Sequence, residues 1–388
     1  MRKFAILGFL CIVSIIFAAC SNHTDEKQDE CPFLYDLDHM MYILENNFAL
    51  FDVVYWARGY DLRAMAESAR NEIIGANYIN NEIFLQILRK NMSFDAAHFA
   101  IGTFGGSNFS PERLAATFQM SQETHQEIPR AIIARTIKEG EIAHLAMPSF
   151  LLSTLEEQVL DFLHEVRDYD HLIIDLRGNR GGWVSNFWPI VRPNIAEALV
   201  AVGYGFVQYG PHIEGAHLPI PRNSPTHIIG GGGPLIADRD FTPIMDFLEN
   251  VNLPELRESD MYRMDYAFRF EVRIFPRNLD EFDFLPAFNG KIWLLVCESN
   301  SSAAQLAIWF VKETGFATIV GEITGGHLGG ARTVAHLPNS MIWFQFDMGY
   351  ITDSNGRPLE AGTIPHHFNR PGMNALQTVL ALIEEGDH

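Results

Sequence analysis

The sequence is short of cations, of cysteine and of the spacings that bind metals or nucleotides, and each shortage excludes something. Its 388 residues hold 28 Lys and Arg against 48 Asp and Glu, a formal net charge of -20 at pH 7. A surface of that sign repels a phosphate backbone, so no nucleic acid is expected as a partner, and an anionic bilayer offers it no electrostatic attraction. There are four cysteines, Cys11, Cys20, Cys31 and Cys297, and none stands at a zinc spacing. A Cys31–Cys297 disulfide has no support in the spacing, and Cys297, at the end of an apolar run, reads as a buried thiol. The histidine pairs in "HIEGAH" (His212, His217) and "HH" (His366, His367) also lack a metal spacing, so no metal is expected. Neither "DLRGNRGGW" (175–183) nor "GGGG" (230–233) matches a dinucleotide or phosphate-loop pattern, so no cofactor is expected either. Internal repeats and low-complexity tracts are absent.

What is there is enough apolar material, 47% of residues with 12% aromatic, for a substantial core in one or two domains. The N-terminus "MRKFAILGFLCIVSIIFAAC" places Arg2 and Lys3 before an apolar stretch from Phe4 to Phe17 and small residues before Cys20. That stretch is too short to span a bilayer comfortably. It has the three-part pattern of an export signal over residues 1–19. The ending "FAAC" is similar to the lipobox of bacterial lipoproteins, which implies a lipid on Cys20 and an extracytoplasmic location on a bacterial membrane. Residues 20–31, polar and without periodicity, read as the lipidated cysteine and its tether.

Apolar residues then recur at three- and four-residue intervals, as in "DLDHMMYILENNFALF" and "NNEIFLQILRKNM", giving a helical region over 32–100. "AIIARTIKEGEIAHLAMPSF" alternates around a "KEGE" turn and predicts a pair of strands. "TLEEQVLDFLHEVRDY" predicts a helix capped by Thr154, and "HLIIDL" a buried strand. From Gly290 the order is strand, helix, strand: "KIWLLV", "SAAQLAIWFVKET", "ATIVGE". Alternating strands and amphipathic helices predict an α/β core, over 101–388, with a largely parallel sheet. Residues 183–289 show no clean period and form a long insertion, expected to cover whatever site the core carries.

Three segments carry candidate chemistry. At "ESNSS" an apolar strand turns into a helix, so Ser299, Ser301 or Ser302 either caps that helix or is displayed there as a nucleophile beside free N–H groups. "DLRGNRGG" ends a buried strand in a glycine-rich loop whose backbone can approach a ligand. "DAAHF" holds His98, one of 15 histidines and by itself more readily structural than catalytic.

Taken together and in order, the segments resemble the C-terminal processing peptidase family of serine peptidases, with its tail-specific and tricorn-type members. "DAAHF" is similar to the family's "DGHT", "EIAHLAMPSF" to "IGYLRIPSF", and "HLIIDLRGNRGG" to "LIIDLRxNxGG". "SSAAQLAIWFVKETGFATIVGEITGG" and "LPNS…LEAGTIPH" resemble two further family stretches. The resemblance implies a crotonase-like α/β core and a serine peptidase that cleaves peptides or unfolded protein tails through an acyl-enzyme. It implies Ser302 as nucleophile, His98 as general base and Glu360 as the distal acidic member. Oxyanion stabilisation would come from the N–H groups of Ala303 and of Gly181 or Gly182. Tail-specific members use a lysine base where this chain has "TGGHLGG", which makes His327 the alternative base.

Four departures stand out. Ala97 replaces a serine of the tricorn type, Gln305 the usual Glu, and His366 the usual Asp, while the spacing leaves no room for a PDZ domain. The changes at Ala97, Gln305 and His366 favour the alternative reading, a catalytically inactive protein binding peptides or apolar ligands on the same scaffold.

Overall fold

The computed structural model describes residues 31–103, 132–151, 155–208, 241–276 and 288–386. The expected signal peptide, Cys20 and nearly all of the tether lie outside them, as do Thr154, His212, His217 and the "GGGG" stretch.

The predicted helical region consists of α1 (Pro32–Asn47), α2 (Phe51–Arg58), α3 (Leu62–Gly75) and α4 (Asn81–Asn91). Local chemistry sets their ends. Pro32 starts α1, where a missing N–H costs nothing. The side chain of Asp61 accepts from the N–H groups of Arg63 and Ala64 at the head of α3, and that of Asn80 from Ile83 at the head of α4. Gly59, with φ 79°, ends α2 in the left-handed conformation that a residue with a Cβ resists.

In chain order the first strands are β1 (Ala100–Gly102), β2 (Ile133–Lys138), β3 (Ile142–Ala146), β4 (His171–Asp175), β5 (Leu199–Val207) and β6 (Thr242–Pro243). They are followed by β7 (Tyr266–Ile274), β8 (Lys291–Val296), β9 (Thr318–Gly321), β10 (Gly330–His336), β11 (Trp343–Thr352) and β12 (His367–Phe368). One sheet runs β12-β9-β8-β4-β3-β2, parallel throughout except for the β2–β3 hairpin at its edge. This is the expected parallel core, with the "KEGE" turn where the alternation placed it. The other sheet runs β1-β11-β5-β7-β6, with β10 also on β11, and is antiparallel. Residues 183–289 also contribute to this sheet. They supply β5 and β7, interior strands of the second sheet.

Three apolar clusters stack these layers. The helix Ala303–Thr314, buried from Ala303 to Val311, shares one core with β3, β4 and β8 of the parallel sheet and β5 and β7 of the antiparallel one. A helix apolar on every side has to lie between layers. The far side of the parallel sheet is covered by the helix Ala375–Glu384, through Ala375, Val379 and Leu382 on Trp293, Leu295 and Val320. The far side of the antiparallel sheet is covered by α1–α4, whose Leu37, Val54 and Leu88, with Phe48 between α1 and α2, join Phe344, Phe346 and Tyr350 of β11. The helical region is therefore a layer of the same body.

Polar contacts reinforce that layer. Asp36 of α1 is fully buried and accepts from the N–H of Asn339 (3.0 Å), the N–H of Ser340 (2.7 Å) and Asn339 Nδ2 (2.9 Å), pinning the turn between β10 and β11. Asp36→Ala leaves the buried N–H of Ser340 without its acceptor and releases Asn339, which is expected to cost on the order of 2–3 kcal/mol. Urea unfolding followed by circular dichroism and tryptophan fluorescence should show both probes shifting together, because the helices and β11 share one core.

Candidate active site

Ser302 sits between β8 and the helix Ala303–Thr314, with φ 56° and ψ -126°. For a residue with a Cβ this is sparsely populated backbone, and surrounding contacts hold it. Its N–H donates to Gly326 O (3.0 Å), while the neighbouring Ser301 donates from Oγ to Arg180 O (3.2 Å). The Ser302 side chain makes no capping hydrogen bond to the helix. Its Oγ lies 3.3 Å from His98 Nε2. The capping explanation therefore fails for Ser302. Ser299 is engaged elsewhere, with Oγ 3.2 Å from Cys297 Sγ, and Cys297 is a free thiol.

His98 arrives from the segment between α4 and β1, and both Ala97 and His98 have positive φ (49° and 51°). The carboxylate on its Nδ1, at 2.8 Å, belongs to Asp347 of β11. This corrects the expectation for Glu360. The side chain of Glu360 is spoken for by backbone: Oε1 accepts from the N–H of Ala97 and Oε2 from that of Leu328, each at 3.1 Å. Glu360 lies wholly buried in the turn Leu359–Ala361, and its own carbonyl accepts from Arg58 (2.7 Å). It joins the His98 segment to the His327 segment without taking the Nδ1 position.

His327 does not take the place of a base at Ser302, whose Oγ is paired with His98. Its Nδ1 lies 3.7 Å from Asp95, in a cluster completed by the Arg180–Asp95 pair (3.3 Å). Burial pushes His327 down to about 4; Asp95 opposes this, while His98, Arg58 and Arg180 add to it.

The two glycines differ in role. Gly181 gives its N–H to Asn179 Oδ1 (2.8 Å), which removes it as an oxyanion donor. It has φ 107°, and a Cβ there would sit 2.9 Å from Ala303 N and 3.0 Å from Ser302 Cβ, so the close approach of this loop to the helix start requires glycine. Gly182 has φ 127° and lies against Phe150, bridging it through Phe150 N–H to Gly181 O (2.9 Å) and Trp183 N–H to Phe150 O (3.0 Å). The bridge itself does not use the Gly182 N–H. Ala303 opens the 12-residue helix that follows Ser302, where the first N–H groups have no intrahelical partner.

Two buried amides fix the loop. Asn179 Nδ2 donates to Met147 O (2.8 Å), and Asn300 Nδ2 donates to Leu176 O (2.5 Å) and Asn179 O (3.0 Å). At the root of the loop Asp175 is buried; Arg177 and His144 bond to its carboxylate and, against that burial, bring it down to about 2. The remaining departures have local partners. Gln305, fully buried, donates to Thr363 Oγ1 (2.8 Å) and accepts from Thr324 Oγ1. His366 Nδ1 accepts from the N–H of Ile319 (2.9 Å).

Burial pushes the Glu360 carboxyl up to about 8; Arg58 and the two backbone donors oppose this, and Asp347 adds to it. A carboxyl raised above its unfolded value of about 4.3 holds a proton in the folded state that the unfolded state has released, so stability falls as pH rises from 4.5 toward 8. Glu360→Gln removes that dependence. The Tm of the variant minus that of the wild type should climb across pH 4.5 to 8 and level above it. A difference that stays flat with pH would contradict the raised value.

The chain matches Peptidase family S41 over residues 141–368, more than half its length. Among curated sequences none matches. The fold resembles that of a crystal structure from Parabacteroides merdae ATCC 43184 described as a candidate peptidase, at 16% identity and TM-score 0.54, covering 94% of this chain and 99% of that one. It also resembles mature CPAF complexed with lactacystin, at 12% identity and TM-score 0.51, covering 87% of this chain and 93% of that one. With its crotonase-like α/β core and a histidine beside the serine at the head of the buried helix, the chain belongs to peptidase family S41.

Proposed function

We propose that the protein is an active serine endopeptidase, lipid-anchored through Cys20 on the extracytoplasmic side of a bacterial membrane, that cleaves peptides or unstructured protein tails. The observation that carries the catalytic part is the 3.3 Å approach of His98 Nε2 to Ser302 Oγ, on a serine held at φ 56° and relieved of any capping duty. A serine hydroxyl is a poor nucleophile until a base takes its proton.

In the first step Ser302 Oγ adds to the scissile carbonyl carbon while its proton passes to His98 Nε2. The carbonyl π pair moves to the oxygen, which faces the N–H groups of Ala303 and Gly182. The intermediate collapses by breaking the C–N bond, and the proton on Nε2 leaves with the amine. Water repeats the sequence on the acyl-enzyme, with His98 again as base, and releases Ser302. Each proton removed in one half-step is returned in the next, so the residues end as they began.

The purified protein treated with a fluorophosphonate, then digested for peptide mass spectrometry, should carry the label on Ser302. Ser302→Ala should abolish it, and His98→Ala should slow it by on the order of 10²–10⁴-fold. Labelling that survives His98→Ala at full rate would move the base to His327, and a folded wild type that never labels would overturn the proposal. The anchor is tested separately: in a bacterial host the wild type should fractionate with membranes and Cys20→Ala should not.

A further inference from the structure

The strand β11 carries a feature that the peptidase reading does not use. Its sequence "WFQFDMGYIT" is buried along almost its whole length, yet it contains Gln345 and Asp347, 6% and 1% exposed. The two are separated by one residue and so face the same way, while Phe344 and Phe346 face the other way into the core beneath α1–α4. A buried strand pays for polar side chains unless each has a partner. Here both have the same one. Gln345 Nε2 donates to the backbone carbonyl of His98 (2.7 Å), and Asp347 Oδ2 lies 2.8 Å from the ring Nδ1 of His98.

We infer that Asp347, assisted by Gln345, is the positioning acid of this peptidase, and that Glu360 acts as a staple of the backbone behind the site. The inference rests on the reading of Ser302 and His98 as nucleophile and base. A carboxylate accepts hydrogen bonds and donates none, so Asp347 places the imidazole proton on Nδ1 and leaves the Nε2 lone pair directed at Ser302. When Nε2 gains the serine proton, the positive ring stays paired with Asp347. Gln345 fixes the carbonyl of the same residue, so ring and backbone are held from one strand face.

The surroundings are shaped for that carboxylate. A Cβ on Gly329 would sit 2.4 Å from Asp347 Cβ and 2.6 Å from its Oδ2, so only glycine there leaves the carboxylate in place. Glu360, with both oxygens taken by the N–H groups of Ala97 and Leu328, sets the backbone that leads into His98 and out of His327. A Cβ on Gly326 would sit 2.1 Å from the Glu360 carbonyl, which shows how closely these segments are drawn together. The two acids therefore divide the work, one on the ring and one on the backbone.

The test uses the full-length protein with histidine labelled in ¹⁵N, and reads the far-downfield proton resonance of an imidazole Nδ1–H bonded to a carboxylate together with the rate of fluorophosphonate labelling at Ser302. The wild type should show both. Asp347→Asn should lose the resonance and slow labelling by about 10³–10⁴-fold, as expected when a base is left in the wrong tautomer. Glu360→Gln should keep the resonance and label no more than about tenfold more slowly. If Asp347→Asn fails to fold, Gly329→Ala carries the same test, because its methyl group displaces the carboxylate. Loss of the resonance in Glu360→Gln but not in the Asp347 or Gly329 variant would overturn the assignment and return the role to Glu360. Rapid labelling of Asp347→Asn would overturn it too. A wild type that shows the resonance but no labelling would instead count against the peptidase reading while leaving Asp347 on His98.

Discussion

One imidazole ring ties the structure together. His98 belongs to the segment that leaves the helical layer, its Nε2 reaches the serine at the head of the central helix, and its Nδ1 reaches a carboxylate in the antiparallel sheet. Those partners lie 204 and 249 residues away along the chain. The site therefore exists only when all the layers have packed. That explains why the helical region shares its core with β11, and why Asp36 pins the β10–β11 turn from α1. Tilting α1–α4 against the sheet would move the ring away from Ser302.

Holding the ring requires unfavourable backbone. Ala97, His98, Ser302 and His327 all have positive φ without being glycine, and all four lie at this site. Each such conformation costs on the order of 1–3 kcal/mol unless its neighbours determine it. The neighbours are visible: Glu360 accepts from Ala97, Gly326 accepts from Ser302, and Leu328 gives its N–H to Glu360 just after His327. Strain gathers where the chemistry is placed, and the stability that tolerates it comes from three apolar clusters elsewhere.

The sequence made parts of this readable because some residues report their surroundings through local pattern. "HLIIDLRGNRGG" shows a buried strand and a loop rich in glycine, and "SSAAQLAIWFVKE" shows a helix start; β4, the loop and the Ala303 helix follow these limits to within a residue. The helices of 32–100 were legible for the same reason. Asp347 was not, because its role depends on a contact across 249 residues and nothing near it in the chain announces one. The available sign was weak: a charged residue two positions from Gln345 in a strand otherwise apolar enough to be buried on both faces. Glu360 lies in a stretch that resembles the family's, yet its two oxygens are occupied by backbone N–H groups. Within residues 183–289, β5 is buried or half-buried throughout and so shows no core-to-solvent alternation, whereas β7 does alternate, with Phe268, Phe270 and Ile274 buried and Arg269 and Arg273 exposed.

The departures that favoured an inactive protein read differently once their contacts are known. Gln305 is an amide that donates to one threonine and accepts from another, a double role that an ionised Glu could not fill, since it can only accept. His366 uses a ring nitrogen to accept from the β9 backbone, as a carboxylate would, while its own backbone pairs with the same strand. Ala97 needs no hydroxyl on the ring of His98, because both ring nitrogens already have partners. A decayed site would leave buried polar groups without partners at the changed positions. Here each change is accompanied by a partner suited to it, and the acid required by the histidine comes from a different strand. Such mutual adjustment is what continued use of Ser302 and His98 would produce.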